Sequence, residues 1–206
     1  MSTPSALILD FGGVLTTDLW ESVRGCARRD GLPENALLDL LHWDNEIHAL
    51  FVGLERGDVD QLDFERALAG RAGIAPERLL ARMCADLEPD RRMLGAVDVL
   101  RGRGVRIGVL SNSWGTGYFS PYEGYDLEDR ADAIVISDQV KLRKPDPAIF
   151  TLMADKLGVP TGECVFVDDV AGNLPNAAAL GMAVIHHADT ASTVADLESL
   201  FEVSLA

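Results

Sequence analysis

Lysine is scarce in this sequence. It occurs only at Lys141, Lys144 and Lys156, and across the 206 residues 18 basic side chains stand against 33 acidic ones, for a formal net charge of -15. Such a charge repels nucleic acid and anionic membranes at long range, so we expect neither as a partner. An anionic ligand would need local positive charge, so a lysine near clustered polar residues is informative.

Cysteines are few, and long apolar runs are absent. Cys26, Cys84 and Cys164 are widely spaced, odd in number and set among apolar residues, which predicts reduced core thiols rather than a disulfide framework or a zinc site. No apolar stretch reaches the roughly 18 residues of a membrane span, and the N-terminus has no basic segment followed by a long apolar one. We therefore expect a cytoplasmic protein without a membrane partner.

Short apolar runs that end in polar residues recur along the chain. They cover residues 6–10, 105–110, 133–136, 164–167 and 183–185, and helical patterns follow at 91–104, 147–158, 174–181 and 193–201. Alternating strands and helices are typical of βαβ units. The sequence thus predicts an α/β fold, a Rossmann-like, doubly wound, mostly parallel sheet with helices on both faces.

One stretch interrupts this alternation. Residues 19 to about 88 carry amphipathic helical patterns and no convincing strand. We predict a core domain formed by residues 1–17 and 90–206, with residues 18–89 inserted as a helical domain. The sequence does not fix the oligomeric state, and a homodimer is compatible with it.

Polar residues at the strand ends should meet, because ligands of open α/β sheets bind beyond the carboxyl ends of the strands. The side chains concerned are Asp10, Ser111, Asn112, Asp168 and Asp169. Clustered carboxylates repel one another unless a cation neutralises them, and oxygen ligands suit magnesium. Lys144 could then hold a phosphate, Ser111 or Asn112 could donate hydrogen bonds to it, and a carboxylate could act as nucleophile.

Four short motifs strengthen this interpretation. They are residues 10–16 (DFGGVLT), 110–112 (LSN), 144–147 (KPDP) and 167–173 (VDDVAGN). In order and spacing they resemble the motifs of the haloacid dehalogenase superfamily, over almost the whole chain. The inserted helices resemble that family's small helical cap, which closes over the substrate, and the start of the first motif is similar to a branch containing glucose-1-phosphate phosphatase-like and epoxide-hydrolase N-terminal-like phosphatases.

The resemblance implies a role for each matching position. Asp10 would be the nucleophile and a magnesium ligand, with the backbone carbonyl of Gly12 and the carboxylate of Asp169 as further ligands. Asp168 would complete the metal site by orienting a metal-bound water, or would orient Lys144. Ser111 and Lys144 would bind the phosphate, and Asn112 would help to position it.

Gly12 departs from the family pattern. Most phosphatases of the superfamily have an aspartate at this position, which protonates the leaving group. General acid catalysis contributes about 10²- to 10⁴-fold, so we expect slow hydrolysis of poor leaving groups unless the cap supplies an acid. Candidate acids are Asp44, Glu46 and Glu55, although each is expected to lie on a solvated face.

The aromatic residues near the motifs are candidates for the pocket wall. Trp20, Trp43 and Trp114 could line it, with Trp114 favoured as a substrate-binding residue because it follows the second motif. No histidine is assigned a catalytic role.

The sequence therefore predicts a magnesium-dependent phosphatase acting on a small phosphorylated metabolite, for example a sugar phosphate, through an aspartyl-phosphate. A metal-independent 2-haloacid dehalogenase is the first alternative, because those enzymes also lack the second aspartate. A catalytically silent binding protein with the same fold is the second.

Overall fold

A five-stranded parallel sheet forms the centre of the molecule. The computed structural model describes residues 3–205. The strands are β1 (Ala6–Leu9), β2 (Arg106–Ser111), β3 (Ala133–Ile136), β4 (Cys164–Asp168) and β5 (Ala183–His186), and their order in the sheet is β3-β2-β1-β4-β5. The first strand is therefore central, between β2 and β4, and the predicted α/β fold class is confirmed.

Helices cover both faces of the sheet. They are α6 (Arg91–Gly102), α7 (Leu127–Arg130), α8 (Ser137–Val140), α9 (Pro147–Leu157), α10 (Leu174–Ala179) and α11 (Thr190–Phe201). Side chains alternate along a strand, so Leu7 and Leu9 pack into the core beside α6 and α11, whereas Ala6 and Ile8 pack into the core beside α9 and α10. Both faces of β1 are buried, which explains its uninterrupted apolar sequence.

Five further helices lie between β1 and α6. They are α1 (Leu19–Arg29), α2 (Ala36–Trp43), α3 (Asn45–Glu55), α4 (Gln61–Ala72) and α5 (Leu79–Met83), here called the helical unit. Its apolar residues form a separate buried cluster, to which Trp114 of the sheet-bearing part also belongs.

The two chain segments that join the helical unit to the rest run side by side. Thr16 and Pro89 form an isolated antiparallel bridge. The amide of Thr17 donates to the carbonyl of Glu88 at 2.8 Å, and that of Asp90 donates to the carbonyl of Leu15 at 2.9 Å. The chain thus leaves and re-enters the sheet-bearing part at one place.

Aspartate begins many of the helices. The capping residues whose carboxylates accept backbone N–H groups of the first turn are Asp18, Asp44, Asp60, Asp90, Asp146 and Asp189. Each satisfies otherwise unpaired amides and complements the helix dipole. Part of the acidic excess therefore has a structural explanation. Among the described residues, no helix combines the length and apolarity that crossing a bilayer requires.

The element bounds differ slightly from those predicted. The last helix begins at Thr190, three residues earlier than predicted, because Asp189 caps it and accepts from the amide of Ser192. The helices predicted to end at 104 and 181 end at Gly102 and Ala179. Glycines with positive φ follow both ends, at Gly104 and Gly181, where the backbone already leaves the helical conformation.

Candidate active site

The carboxyl ends of the central strands bring the predicted acids together. Asp10 follows β1, Asp168 ends β4, and Asp169 is the next residue. One carboxylate oxygen from each of the three lies within 4.8 Å of the others. Asp10 is held in place by its amide, which donates to the carbonyl of Val167 at 2.9 Å, and by its own Oδ1, which accepts from the amide of Phe11 at 2.7 Å.

Lys144 reaches this cluster from the loop before α9. Its side chain is almost fully buried, and its Nζ lies 2.9 Å from Asp10 Oδ1 and 2.6 Å from Asp168 Oδ2. Burial alone would lower the pKa of Lys144, but the carboxylates of Asp10 and Asp168 hold it above its usual value. Lys144 is therefore a permanent cation beside Asp10. Lys141 and Arg143, its neighbours in sequence, contact other groups, Gly57 and Glu55.

Asp168 is saturated by contacts within the protein. Its Oδ1 accepts from the amide of Val170 at 2.8 Å, and Asn173 Nδ2 lies 3.0 and 3.1 Å from its two oxygens. With Oδ2 also bonded to Lys144, this fully buried carboxylate fixes the lysine and the loop after β4.

The other two acids, Asp10 and Asp169, are shifted toward their protonated forms when no cation is bound. Burial, together with the charge of Asp168, raises the pKa of Asp10 to about 8 and that of Asp169 to about 6, and Lys144 only partly offsets this. Ionisation of both groups is therefore unfavourable unless further positive charge is supplied. One lysine does not balance three carboxylates, and a divalent cation held by oxygens of Asp10 and Asp169 would, so these residues fit a magnesium ion.

The loop after β1 is shaped by two glycines. Gly13 has a φ of 79°, and a Cβ at this position would lie 2.8 Å from Asp169 Oδ2. Only glycine therefore allows the loop to pass this close to Asp169. Gly12 borders the cavity and has no side chain. Residue 12 therefore cannot supply the general acid that an aspartate provides at this position in most phosphatases of the superfamily.

Ser111 and Asn112, at the end of β2, make different hydrogen bonds. The Ser111 hydroxyl borders the cavity and accepts from Tyr122 Oη at 3.0 Å. The Asn112 side chain instead accepts from the amide of Lys144 at 2.8 Å and donates to its carbonyl at 3.1 Å. Asn112 thus anchors the lysine loop to β2.

A cavity of about 240 Å³ opens above these groups. The predicted residues that line it are Asp10, Gly12, Ser111, Asn112, Trp114, Lys144 and Asp169, and the helical unit contributes further residues including Leu19, Trp20, Phe51 and Glu55. Asp168 lies just beneath the cavity, bonded to Lys144.

Two expectations about the cavity wall were wrong. Trp43 does not line it, because its side chain is 81% exposed at the end of α2. Glu55 does not lie on a solvated face: it is buried in the wall, where its Oε2 accepts from Arg143 Nε at 2.7 Å. Burial raises the pKa of Glu55 in spite of the adjacent Arg143 guanidinium.

The other two candidate acids lie away from the cavity. Asp44 caps α3 and pairs with Arg71 at 2.7 Å, and Glu46 is exposed in the first turn of that helix.

Sequence reasoning missed Tyr122 and the role of Arg143. Tyr122 stands in a loop without periodicity, and Arg143 is marked only by its place beside Lys144.

Comparisons with known proteins agree with this geometry. The family described as haloacid dehalogenase-like hydrolase matches residues 4–181, and the chain belongs to this family. A phosphatase of Mycobacterium tuberculosis is 30% identical over 187 residues, which cover 86% of this chain and 84% of that protein. A sesquiterpene phosphatase of Aspergillus oryzae is 26% identical over 203 residues, 97% of each chain.

Solved structures show the same fold. A predicted haloacid dehalogenase-like hydrolase from Porphyromonas gingivalis superposes with a TM-score of 0.76 over 98% of this chain and 100% of that one, at 21% sequence identity. The predicted family is therefore confirmed, and the chain is a hydrolase of this family.

Proposed function

We propose that this protein is a magnesium-dependent phosphatase that hydrolyses a small phosphorylated metabolite through an aspartyl-phosphate on Asp10. The observation that carries the proposal is the position of Asp10, a buried carboxylate at the end of the central strand, between Lys144 and the acid Asp169. The names of the two phosphatase relatives support the same activity.

The nucleophile and the phosphate-binding groups have distinct tasks. Asp10 attacks phosphorus in line, the bond between phosphorus and the ester oxygen breaks, and the departing oxygen takes a proton from water to leave as the alcohol. Lys144 balances charge on the phosphoryl oxygens and on Asp10, and the Ser111 hydroxyl, which accepts from Tyr122 and keeps its own proton free, donates to a phosphoryl oxygen. Water then cleaves the aspartyl-phosphate and regenerates Asp10.

The metal site would be formed by Asp10, Asp169 and the backbone carbonyl of Gly12. A bound magnesium ion would offset charge on the phosphoryl group and on these acids. Asp168 was also a candidate for this site. We assign it the other task that the family resemblance allows, the orientation of Lys144, because its oxygens are already engaged. By the same argument Asn112 positions the lysine loop rather than the phosphate.

We assign residues 18–89 to a cap over a core of residues 1–17 and 90–206. The cavity is walled by both parts, which supports this division. A sugar phosphate is one candidate substrate, and a comparison of glucose 6-phosphate with an alkyl phosphate tests it.

The proposal is tested by phosphate release from a panel of phosphorylated metabolites, with and without magnesium. We expect Asp10→Asn to lower kcat by at least about 10³-fold, because it removes the attacking group. The exposed Asp63→Asn is the matched control and should leave the rate unchanged. The proposal fails if no compound releases phosphate in a manner that depends on both magnesium and Asp10.

The same assay separates the alternatives. A 2-haloacid dehalogenase would release chloride from a chlorinated acid without magnesium, and Gly12 is compatible with that activity. The raised pKa of Asp10 opposes it, because without a cation the carboxyl group is largely protonated at neutral pH and is then a poor nucleophile. A silent binding protein would bind phosphate compounds without turnover.

A further inference from the structure

One side of the cavity has an aromatic wall, formed by Trp20, Phe51 and Trp114. The ring centroids of Trp20 and Trp114 are 6.3 Å apart, and those of Phe51 and Trp114 are 6.0 Å apart in an edge-to-face arrangement. Leu19 and Leu87 border the same space. The organic half of a bound phosphate ester would therefore face apolar surface.

Several polar side chains of the cavity wall are already paired. Glu55 Oε2 accepts from both Nε and Nη2 of Arg143. The Nδ1 atoms of His42 and His48 lie 2.9 and 2.8 Å from backbone carbonyls, to which they donate. Tyr122 Oη is bonded to Ser111.

Few groups are left to receive the hydroxyls of a sugar. The hydrogen-bonding atoms of this wall for which the described residues provide no partner include the two imidazole Nε2 atoms, Glu55 Oε1 and the indole N–H groups of Trp20 and Trp114, far fewer than the five oxygens of a hexose need. A sugar moved from water into this space would lose hydrogen bonds that the wall does not replace, and that loss opposes binding. An alkyl or aryl group would lose none and would bury apolar area.

We infer that the substrate is a phosphate monoester of an apolar alcohol, whose hydrocarbon group packs against the aromatic wall while its phosphate faces Asp10 and Lys144. This inference rests on the proposed phosphatase function and specifies its substrate class.

A matched pair of six-carbon substrates tests the inference. Hexyl phosphate and glucose 6-phosphate are both esters of primary alcohols, so they differ mainly in the polarity of the organic group. We expect kcat/KM to be at least about tenfold higher for hexyl phosphate, and to rise roughly fourfold per added methylene from butyl to hexyl phosphate, as burial of a CH₂ group predicts. Equal values, or a preference for glucose 6-phosphate, would overturn the inference.

A variant pair localises the effect. Trp20→Ala removes part of the aromatic wall, and Trp43→Ala removes the exposed tryptophan of the same helical unit. We expect Trp20→Ala to lower the ratio of kcat/KM for hexyl phosphate to that for acetyl phosphate by about tenfold, and Trp43→Ala to leave the ratio unchanged. An equal ratio in both variants contradicts the assignment of the wall. The chain-length series on the unaltered protein needs no variant and stands if Trp20→Ala fails to fold.

Acetyl phosphate separates this inference from the function on which it rests. Its small, good leaving group needs neither the aromatic wall nor a general acid, so its magnesium- and Asp10-dependent hydrolysis reports on phosphoryl transfer alone. If acetyl phosphate is hydrolysed but hexyl phosphate is not preferred over glucose 6-phosphate, the substrate class is wrong and the phosphatase function holds. If no ester or acyl phosphate is hydrolysed, the proposed function itself fails.

Discussion

The ionisation of Asp10 couples the site to the stability of the fold. Its pKa rises from 3.8 to about 8 on folding, mainly because the carboxyl group is buried and faces Asp168 and Asp169. A carboxyl group with a raised folded-state pKa contributes most stability below its unfolded pKa, and the contribution is lost as the pH rises through the folded pKa. The window is therefore from about pH 4 to about pH 8.

We expect the metal-free protein to be less stable at about pH 8 than at about pH 5, and Asp10→Asn to reduce this difference, because the amide does not ionise. Urea denaturation at both pH values measures it. Magnesium added at about pH 8 should raise the unfolding midpoint of the unaltered protein and have a smaller effect on the variant. The exposed Asp63→Asn serves as control, and an identical pH dependence in unaltered protein and Asp10→Asn would contradict the assignment.

A substitution at Gly12 can test the effect of the missing general acid. A Cβ at this position would lie 3.2 Å from Leu19 Cδ2, the end of a flexible side chain, so a side chain can be added with a small shift. We expect Gly12→Asp to raise kcat for hexyl phosphate by about tenfold or more, because a general acid would then protonate the leaving alcohol.

The matched variant is Gly12→Asn, which has the same size and cannot serve as that acid. Rates for acetyl phosphate should change little between the two variants, since that leaving group needs no proton. Equal rates of Gly12→Asp and Gly12→Asn on hexyl phosphate would refute this account of Gly12.

Helix α4 holds the loop after β2 through one side chain. The buried Gln61 donates through Nε2 to the carbonyls of Trp114 and Phe119, at 3.0 and 2.8 Å, and accepts from the amide of Phe119 at 3.2 Å. Gly115 and Gly117 pack directly on it, where a Cβ would lie 2.9 and 2.8 Å from its side-chain atoms. The position of Trp114 at the cavity therefore depends on a residue of the helical unit.

We expect Gln61→Ala to lower the free energy of unfolding by about 2–3 kcal/mol, because it leaves buried backbone groups without partners. Chemical denaturation measures the loss, and the exposed Gln139→Ala should change the value by less than about 0.5 kcal/mol. A loss no larger than that of the control would show that the loop holds its position without Gln61.

At this scale the sequence predicted the strands well and some helices poorly. All five strands lie within one residue of the predicted bounds, because each is a buried apolar run that ends in polar residues. The four-residue helices α7 and α8 were not predicted, because segments so short show no periodicity. Parallel topology then brought Asp10, Ser111 and Asp168 to one edge, as predicted.

The burial of Glu55 could not be predicted, because its partner Arg143 is 88 residues away in sequence. Helical periodicity places an acid on a face but does not show what packs against that face. The same limit applies to Asn112, whose partner is the backbone of Lys144 rather than a side chain that a motif could reveal.

The whole molecule carries a formal charge of -15 at pH 7. Self-repulsion among like charges destabilises the compact state, and salt screens it, since the Debye length is about 10 Å at 0.1 M. We expect the thermal midpoint to rise as sodium chloride is increased from about 10 mM to about 200 mM.

A scanning calorimetry series without divalent ions measures this dependence. Potassium chloride should give the same increase, which separates screening from specific binding of sodium. A midpoint that is constant or falls with salt would mean that the ion pairs of the fold outweigh its net repulsion.

The bridge between Thr16 and Pro89 has a consequence for how such a protein can change over generations. The helical unit is attached at one crossing, six residues after the nucleophile, and between its attachments it contributes Trp20, Phe51 and Glu55 to the cavity. Insertions or deletions above the crossing alter the cavity wall and leave the strands that position Asp10 and Asp168 unchanged in sequence. Substrate preference and phosphoryl-transfer chemistry can therefore evolve separately in one gene.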